Sequence, residues 1–152
     1  MDKRNFVTMG QLMLPNQANV AGNVHGGEIM KMMDTAAGAV AKKYSKSNCV
    51  TARVDELQFH LPIFVGALVE CNATVVYTGR TSMEVYVCVT SEDLESESGQ
   101  QKALSAYFTM VAISKNGKPQ QVAQFKPETE EEEKLFGDAK KRVEIFKAKN
   151  RL

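Results

Sequence analysis

The spacing of apolar residues predicts two helices and five strands in this chain. A strand over residues 6–14 ends at the Pro15–Asn16 turn, and an apolar segment from about residue 26 to residue 43 has the length and pattern of a helix. Apolar side chains fill most positions of this segment, so we expect the helix to be buried nearly all round. The lysines at 42 and 43 suit the negative end of the helix dipole.

After this helix the apolar pattern changes to a period of two, which is typical of strands. Four strands are predicted in succession, joined by hairpin-length connections: residue 50 to the break at 62–66, then 67–77, 82–89 and 103–114. A second, amphipathic helix is predicted over residues 128–149, with an acidic start and a basic end. This order predicts an α+β fold in which an antiparallel sheet curls around the first helix.

Composition places the chain among ordinary soluble domains. Its 152 residues are 43% apolar and 24% charged, and the formal net charge of +1 gives no reason to expect nucleic-acid binding. The sequence has no apolar signal region or long uncharged apolar span, so we expect a cytoplasmic protein that does not enter a membrane. Three cysteines without CxxC spacing, Cys49, Cys71 and Cys88, are interpreted as buried, reduced thiols.

One carboxylate, Asp34, lies in the middle of the apolar helix. Burying an acid is costly, so its presence there indicates a chemical role. Asp34 is the candidate for a general base or a nucleophile. The simpler alternative is an aspartate that turns outward or caps a neighbouring loop.

The loop before the helix adds polar groups. Gly26 and Gly27 stand at the helix start, where unpaired N–H groups and the positive end of the dipole suit an oxyanion. His25 is expected to position the loop, and two histidines without matching acid or cysteine spacing predict no metal site. The amide of Asn19 can donate and accept, but the residues alone favour a turn asparagine there and a loop-shaping role for Asn23.

The chain resembles the hotdog-fold acyl-CoA thioesterases, in particular the branch of bacterial acyl-CoA hydrolases and the brain-type cytosolic hydrolase. The matching segments are ANVAGNVHGGEIMKMMD, CVTARVDELQFHLPIFVGALV, YTGRTSMEV and AYFTMVAI, followed by the acidic-to-basic closing helix. The resemblance implies a hotdog fold over residues 1–127, a curved antiparallel sheet wrapped around a long central helix, with residues 128–152 as a C-terminal helical extension of the same domain. It also implies homodimers, commonly assembled as trimers of dimers.

The activity implied by the resemblance is hydrolysis of fatty acyl-CoA to free fatty acid and CoA, without a metal or cofactor. The family's catalytic pair falls on Asn19 and Asp34, contributed by opposite protomers at the dimer interface. Thr51, on the strand after the helix, is expected to face this site. Two alternatives stay open: a non-catalytic acyl-CoA-binding sensor, and a hotdog hydratase or dehydratase, although the latter use a loop richer in proline.

A predicted turn after the second strand of the set carries Arg80, Thr81 and Ser82. It resembles the turn that lies near the CoA nucleotide in this family. Arg80 can bind a phosphate bidentately, with the two hydroxyls assisting. A solvated hairpin turn is the alternative.

Overall fold

The computed structural model describes residues 4–150, which form two helices and one five-stranded sheet. The elements are β1 (Phe6–Leu12), α1 (Gly26–Ser45), β2 (Asn48–Phe59), β3 (Leu68–Thr78), β4 (Ser82–Glu92), β5 (Gln100–Ile113) and α2 (Glu130–Lys149), with a short 3-10 helix at Pro15–Gln17. The predicted α+β class is confirmed. Strand β1 stops two residues earlier than expected, and α1 runs two residues further.

The strand order across the sheet is β1-β3-β4-β5-β2, and every neighbouring pair is antiparallel. The expectation of four strands joined in succession by hairpin-length connections is wrong for β2, because residues 60–67 carry the chain from one edge of the sheet to β3. A strand has only two edges, and β3 uses both of them for β1 and β4. Strand β2 therefore pairs with β5 and forms the far edge.

The core lies between α1 and one face of the sheet. Helix α1 contacts all five strands. On β4, alternate residues from Met83 to Val89 are fully buried against it, as the period of two predicts. Met33 and Val40 of α1 are fully buried from the helix side.

Helix α1 is not buried all round, which corrects the expectation from its composition. The exposed residues of its first three turns, called here the exposed face of α1, are Gly27, Met30, Lys31, Asp34 and Thr35, and Lys42 and Lys43 are exposed near its C-terminal end. The sheet of one chain covers only one side of the helix, so apolar residues on the other side remain open to solvent. Composition cannot distinguish a helix covered by its own sheet from one that needs a second chain.

Helix α2 packs on the opposite face of the sheet. The ring of Phe136 contacts Tyr77 of β3 at 5.2 Å between centroids. Thr129 caps the helix by accepting from the N–H of Glu132 at 3.0 Å. Only Ala139 of α2 is fully buried, as expected for an amphipathic helix on a surface.

The three cysteines are free thiols, as expected. Cys71 is fully buried, whereas Cys49 and Cys88 are only half-buried. Burial raises the pKa of the Cys71 thiol to about 11. Neither helix within residues 4–150 has both the length and the apolar character needed to cross a bilayer.

Candidate active site

Asp34 lies on the exposed face of α1, where it meets β2. The hydroxyl of Thr51 donates a hydrogen bond of 2.7 Å to Asp34 Oδ1. The expectation that Asp34 is buried is wrong for a single chain, because Asp34 stays exposed beside the edge strand β2. Lys31 stands one turn earlier, but no ion pair joins it to Asp34 among the described residues. One carboxylate oxygen of Asp34 thus accepts the hydrogen bond from Thr51, and the other has no hydrogen-bond donor among the described residues.

The side chain of Asn19 holds the loop before α1. Its Oδ1 accepts from the N–H of Ala21 at 2.9 Å and from the N–H of Asn23 at 3.2 Å. The backbone of Asn23 forms a bridge with Phe64, which ties the loop to the segment before β3. The side-chain NH₂ of Asn19 has no acceptor within residues 4–150. Its oxygen therefore shapes the turn, while its nitrogen remains available as a donor.

The start of α1 offers one open N–H group where the sequence suggested two. His25 is the N-cap, and its Nδ1 accepts from the N–H of Gly27 at 3.1 Å, which requires the proton on Nε2. The imidazole therefore occupies the N–H of Gly27 in this structure, and the expected role of this N–H toward an oxyanion stays a prediction. The N–H of Gly26 has no partner among the described residues and stays open.

Asn19 and Gly26 line the same small cavity, of about 140 Å³. Its walls also include Phe59 and Leu104. The Cε1 atom of Phe59 lies 3.4 Å from the place where a Cβ on residue 26 would stand, so glycine admits the ring close to the helix start. Sequence reasoning missed Phe59. The only sign in the sequence is that an aromatic residue ends β2. Its side chain is 61% exposed in the structure.

Within one chain, Asn19 and Asp34 lie in separate places. Asp34 does not line the cavity next to Asn19. The helix rise puts the Cα of Asp34 about 12 Å from that of Gly26 along α1. Within one chain, the donor groups of Asn19 and Gly26 are therefore separate from the carboxylate of Asp34.

The turn between β3 and β4 presents Arg80 to solvent. The N–H of Gly79 donates to the carbonyl of Ser82 at 2.9 Å and closes the turn. The carbonyl of Arg80 accepts from the N–H of Val122 at 2.9 Å, and that of Thr81 accepts from Ala112 at 3.0 Å. These bonds fix the backbone, and the guanidinium has no partner within residues 4–150.

A charged cluster lies on the other face of the sheet, beneath α2. It consists of Arg53, Asp55, Glu56, Glu84 and Arg142. The carboxylate of Glu84 lies 3.8 Å from each of the two guanidinium groups, and its side chain is 3% exposed. Burial raises the pKa of Glu84, while a hydrogen bond from Thr109 and the two arginines lower it in part. Sequence reasoning did not single out this cluster, because Glu84 falls at an outward position of β4.

No three His, Cys, Asp or Glu side chains within residues 4–150 are arranged to hold a metal ion.

The profile of the thioesterase superfamily matches residues 21–98, and the chain belongs to this superfamily. The fold is the hotdog fold expected from the resemblance. A solved hexameric acyl-CoA thioesterase superimposes on the chain with a TM-score of 0.93 and 37% identity, covering 99% of this chain and 96% of that one.

Two further proteins are similar to this chain. The cytosolic acyl coenzyme A thioester hydrolase of Mus musculus is 40% identical over 136 residues, which are 89% of this chain. The chain spans only 36% of that relative's length. The acyl-CoA hydrolase of Staphylococcus aureus, solved with butyryl coenzyme A and coenzyme A, has a TM-score of 0.87 and 31% identity, covering 95% of this chain and 87% of that one.

Variants of the Staphylococcus aureus enzyme with alanine in place of an asparagine, an aspartate and a threonine have also been solved. In that enzyme the asparagine precedes the aspartate by 15 positions and the threonine follows it by 17. Asn19, Asp34 and Thr51 have the same separations in this chain.

Proposed function

We propose that this protein hydrolyses fatty acyl-CoA thioesters to a free fatty acid and CoA. The observation that carries the proposal is the hydrogen bond of 2.7 Å from Thr51 to Asp34. It orients an accessible carboxylate and leaves one oxygen open toward a substrate. The reaction needs no metal or cofactor, since CoA enters as part of the substrate. The matching separations of asparagine, aspartate and threonine in the Staphylococcus aureus enzyme support the choice of residues.

The open oxygen of Asp34 has two chemical roles that fit thioester hydrolysis. As a general base it removes a proton from a water molecule that attacks the thioester carbonyl. As a nucleophile it attacks that carbonyl itself and forms a mixed anhydride, which water then hydrolyses. Both roles use the same oxygen, and both release the thiolate of CoA.

Asn19 and Gly26 supply the donors for the developing oxyanion in this proposal. The side-chain NH₂ of Asn19 and the backbone N–H of Gly26 are both open, and both residues line the same cavity. The positive end of the α1 dipole adds to this environment. A single donor of this kind is typically worth about 10²–10³ in kcat. His25 positions the loop by capping α1 rather than by transferring protons.

A second copy of the chain completes each site. Among the strands formed by residues 4–150, β2 pairs only with β5, so one long edge of Asn48–Phe59 is unpaired there. Exposed edge strands of this length invite pairing with another strand. A copy that pairs along this edge covers the exposed face of α1 and supplies its Asn19 to Asp34. The hexameric thioesterase similar to this chain supports a trimer of such dimers, and the cytosolic mouse relative supports a cytoplasmic location.

The first experiment measures thiol release from a panel of acyl-CoAs. We expect Asp34→Asn and Asn19→Ala each to lower kcat by at least about 10²-fold. Gly26→Pro keeps the first helical position acceptable but removes the N–H, whereas Gly26→Ala adds a Cβ and retains the N–H. Only the proline variant should lose most of its kcat. Turnover that survives both Asp34→Asn and Asn19→Ala contradicts the assignment, and acyl-CoA binding without turnover favours the sensor.

The second experiment tests whether Asn19 and Asp34 of one site come from opposite chains. Protomers with Asp34→Asn and protomers with Asn19→Ala are mixed in equal amounts, unfolded and then refolded. In a mixed dimer one site has both native residues and the other has neither, so random pairing restores about a quarter of native activity. No recovery, with mixed dimers shown by mass spectrometry, places both residues of a working site in one chain.

A further inference from the structure

The cavity that Asn19 and Gly26 share is lined by two kinds of group. Its polar groups include the two donors proposed for the oxyanion. Its apolar walls include Ile29, Ile63 and Leu104, which are all buried in the core. None of the residues that the structure places around this cavity is charged. The cavity therefore suits a carbonyl oxygen with a hydrocarbon chain attached.

The aromatic wall of this cavity is Phe59, the last residue of β2. The direction of its side chain depends on a β-bulge earlier in the strand. Asp55 lies opposite Tyr107 of β5 and Gln58 lies opposite Ser105, so three steps along β2 match two along β5. One extra residue of this kind reverses the side of the sheet on which the following side chains lie.

The bulge turns Phe59 toward α1. Asp55 lies on the α2 side of the sheet, where it pairs with Arg142. In a regular strand, a residue four positions later would lie on that same side. Phe59 instead lies opposite the core residue Leu104, with its ring against the start of α1. Bulges beside active sites commonly redirect a side chain in this way.

A strained residue maintains this bulge. Glu56 has φ of 50°, a conformation that is uncommon for residues other than glycine and costs free energy. Arg142 holds Glu56 from the α2 side, with 3.3 Å between Nε and Oε2. Strand β2 thus keeps an unfavourable backbone conformation whose consequence is that Phe59 lines the cavity.

The size of the cavity limits the length of chain that it can hold. Its volume is about 140 Å³. A methylene group is comparable in size to a water molecule, whose share of liquid volume is about 30 Å³, so the cavity has room for about four to five such groups. Its buried apolar walls belong to the core, which is close-packed and opens only by repacking.

We propose that Phe59 restricts this protein to short acyl chains, of about four to six carbon atoms with the carbonyl carbon included. The proposal rests on the proposed function, because it assigns the acyl part of the same substrate. The thioester carbonyl accepts from Asn19 and Gly26, and the chain fills the space between the ring of Phe59 and the buried apolar walls. A longer chain meets the ring and has to leave the cavity.

A larger groove next to the cavity is the other place for a long chain. It has a volume of about 720 Å³, and Leu61 and Pro62 line both spaces. Asp93 and Glu95 also line this groove, and carboxylates are poor neighbours for a hydrocarbon chain. The groove is therefore less suited to the chain than the cavity, whose walls carry no charge.

The test measures kcat/KM for acetyl-, butyryl-, hexanoyl-, octanoyl- and dodecanoyl-CoA. For the native protein, we expect an increase of about fourfold for each methylene added between acetyl and butyryl. The value for octanoyl-CoA should be at least about tenfold below that for butyryl-CoA, because the chain no longer fits.

The variant Phe59→Ala removes the ring and should raise the ratio of kcat/KM for octanoyl-CoA to that for butyryl-CoA at least about tenfold. The matched control is Phe64→Ala, which removes the same atoms. Phe64 is 57% exposed, against 61% for Phe59, and lines the larger groove instead of the cavity. The control should keep the native ratio. A loss of folded protein lowers the rates for all substrates equally and leaves this ratio unchanged.

Binding is measured separately with S-butyl-CoA and S-octyl-CoA, thioethers that cannot be hydrolysed. By calorimetry, the native protein and Phe64→Ala should bind S-butyl-CoA at least about tenfold more tightly than S-octyl-CoA. In Phe59→Ala this difference should disappear.

Three results overturn the proposal. The first is a native protein that prefers dodecanoyl-CoA. The second is an equal loss on all substrates in Phe59→Ala, which leaves the ring a structural role alone. The third is a changed ratio in Phe64→Ala but not in Phe59→Ala, which assigns the chain to the larger groove. If the native protein hydrolyses no thioester, the proposed function fails, and the thioether titrations alone then decide whether the cavity selects short chains.

Discussion

Replacing Arg142 by alanine is expected to destabilise the protein by about 3 kcal/mol. The guanidinium of Arg142 is 12% exposed and contacts three carboxylates of the charged cluster. It also stacks on the ring of Tyr107 at 3.6 Å. Without Arg142, the buried carboxylate of Glu84 keeps Arg53, at 3.8 Å, as its one charged partner in the described part of the chain.

The size of the expected loss of stability follows from how deeply each carboxylate near Arg142 is buried. Asp55 and Glu56 are more exposed, so their pairs with Arg142 contribute little, about 0.2–1 kcal/mol each. Removing one partner of a buried pair costs about 3–5 kcal/mol, because the other charge is left uncompensated. Glu84 retains Arg53, which places the expected loss at the lower end of that range.

The loss should depend on pH in a defined direction. Burial, the largest effect on Glu84, raises the pKa of its carboxyl above the unfolded value. An acid with a raised pKa in the folded state favours folding most below its unfolded pKa, and this contribution is lost as the pH rises through the folded pKa. Removing Arg142 raises that pKa further. The deficit of Arg142→Ala should therefore be smaller at about pH 5 than at about pH 8.

The assay is urea denaturation at fixed protomer concentration, followed by circular dichroism because the chain has no tryptophan. With an m-value of about 2 kcal/mol/M, the midpoint should fall by about 1.5 M. Lys141→Ala, an exposed neighbour on α2, is the control and should change stability by less than about 0.5 kcal/mol. Adding Glu84→Gln to Arg142→Ala should recover part of the loss. Equal losses for Arg142→Ala and Lys141→Ala, or a deficit that does not vary with pH, would refute the reasoning.

Three other predictions follow from single contacts. Thr51→Val should lower kcat for thiol release about tenfold. Thr51→Ser keeps the hydroxyl that bonds Asp34 and should have a kcat near the native value. Equal rates for the two variants would contradict the role of this hydrogen bond. His25→Ala should lower the free energy of unfolding by about 1 kcal/mol, and His25→Asn, another capping residue, should restore most of it in the same urea titration. Cys71, with its pKa of about 11, should stay unlabelled by a disulfide reagent in the folded protein and react in urea, as peptide mapping would show. Labelling of Cys71 before unfolding would show that the strand opens.

The fold could be predicted largely from local patterns. The period of two on β4 and the apolar run of α1 report directly which faces are buried. The position of β2 could not be predicted in this way, because alternation shows which side of a strand is buried and not which strand lies beside it. The pairing of β2 with β5 depends on contacts between distant parts of the chain.

For the candidate site, sequence reasoning selects residues but does not describe their surroundings. Asp34 is conspicuous as an acid among apolar residues, and the resemblance selects Asn19. The sequence gives no sign that the imidazole of His25 occupies the N–H of Gly27, because this depends on one side-chain rotamer. The expectation that Asp34 is buried was wrong because it took the chain's own sheet to cover all sides of α1.

The place of β2 in the sheet also bears on how the chain emerges from the ribosome. Asn48 pairs with Ile113 and Phe59 with Leu104, so β2 is synthesised long before its partner exists. Until β5 emerges, both edges of a long strand are open to other nascent chains. Asp55 and Glu56 lie on that strand, and Arg142 can pair with them only after α2 has been made as well. The last strand to be made is thus the one that closes the sheet.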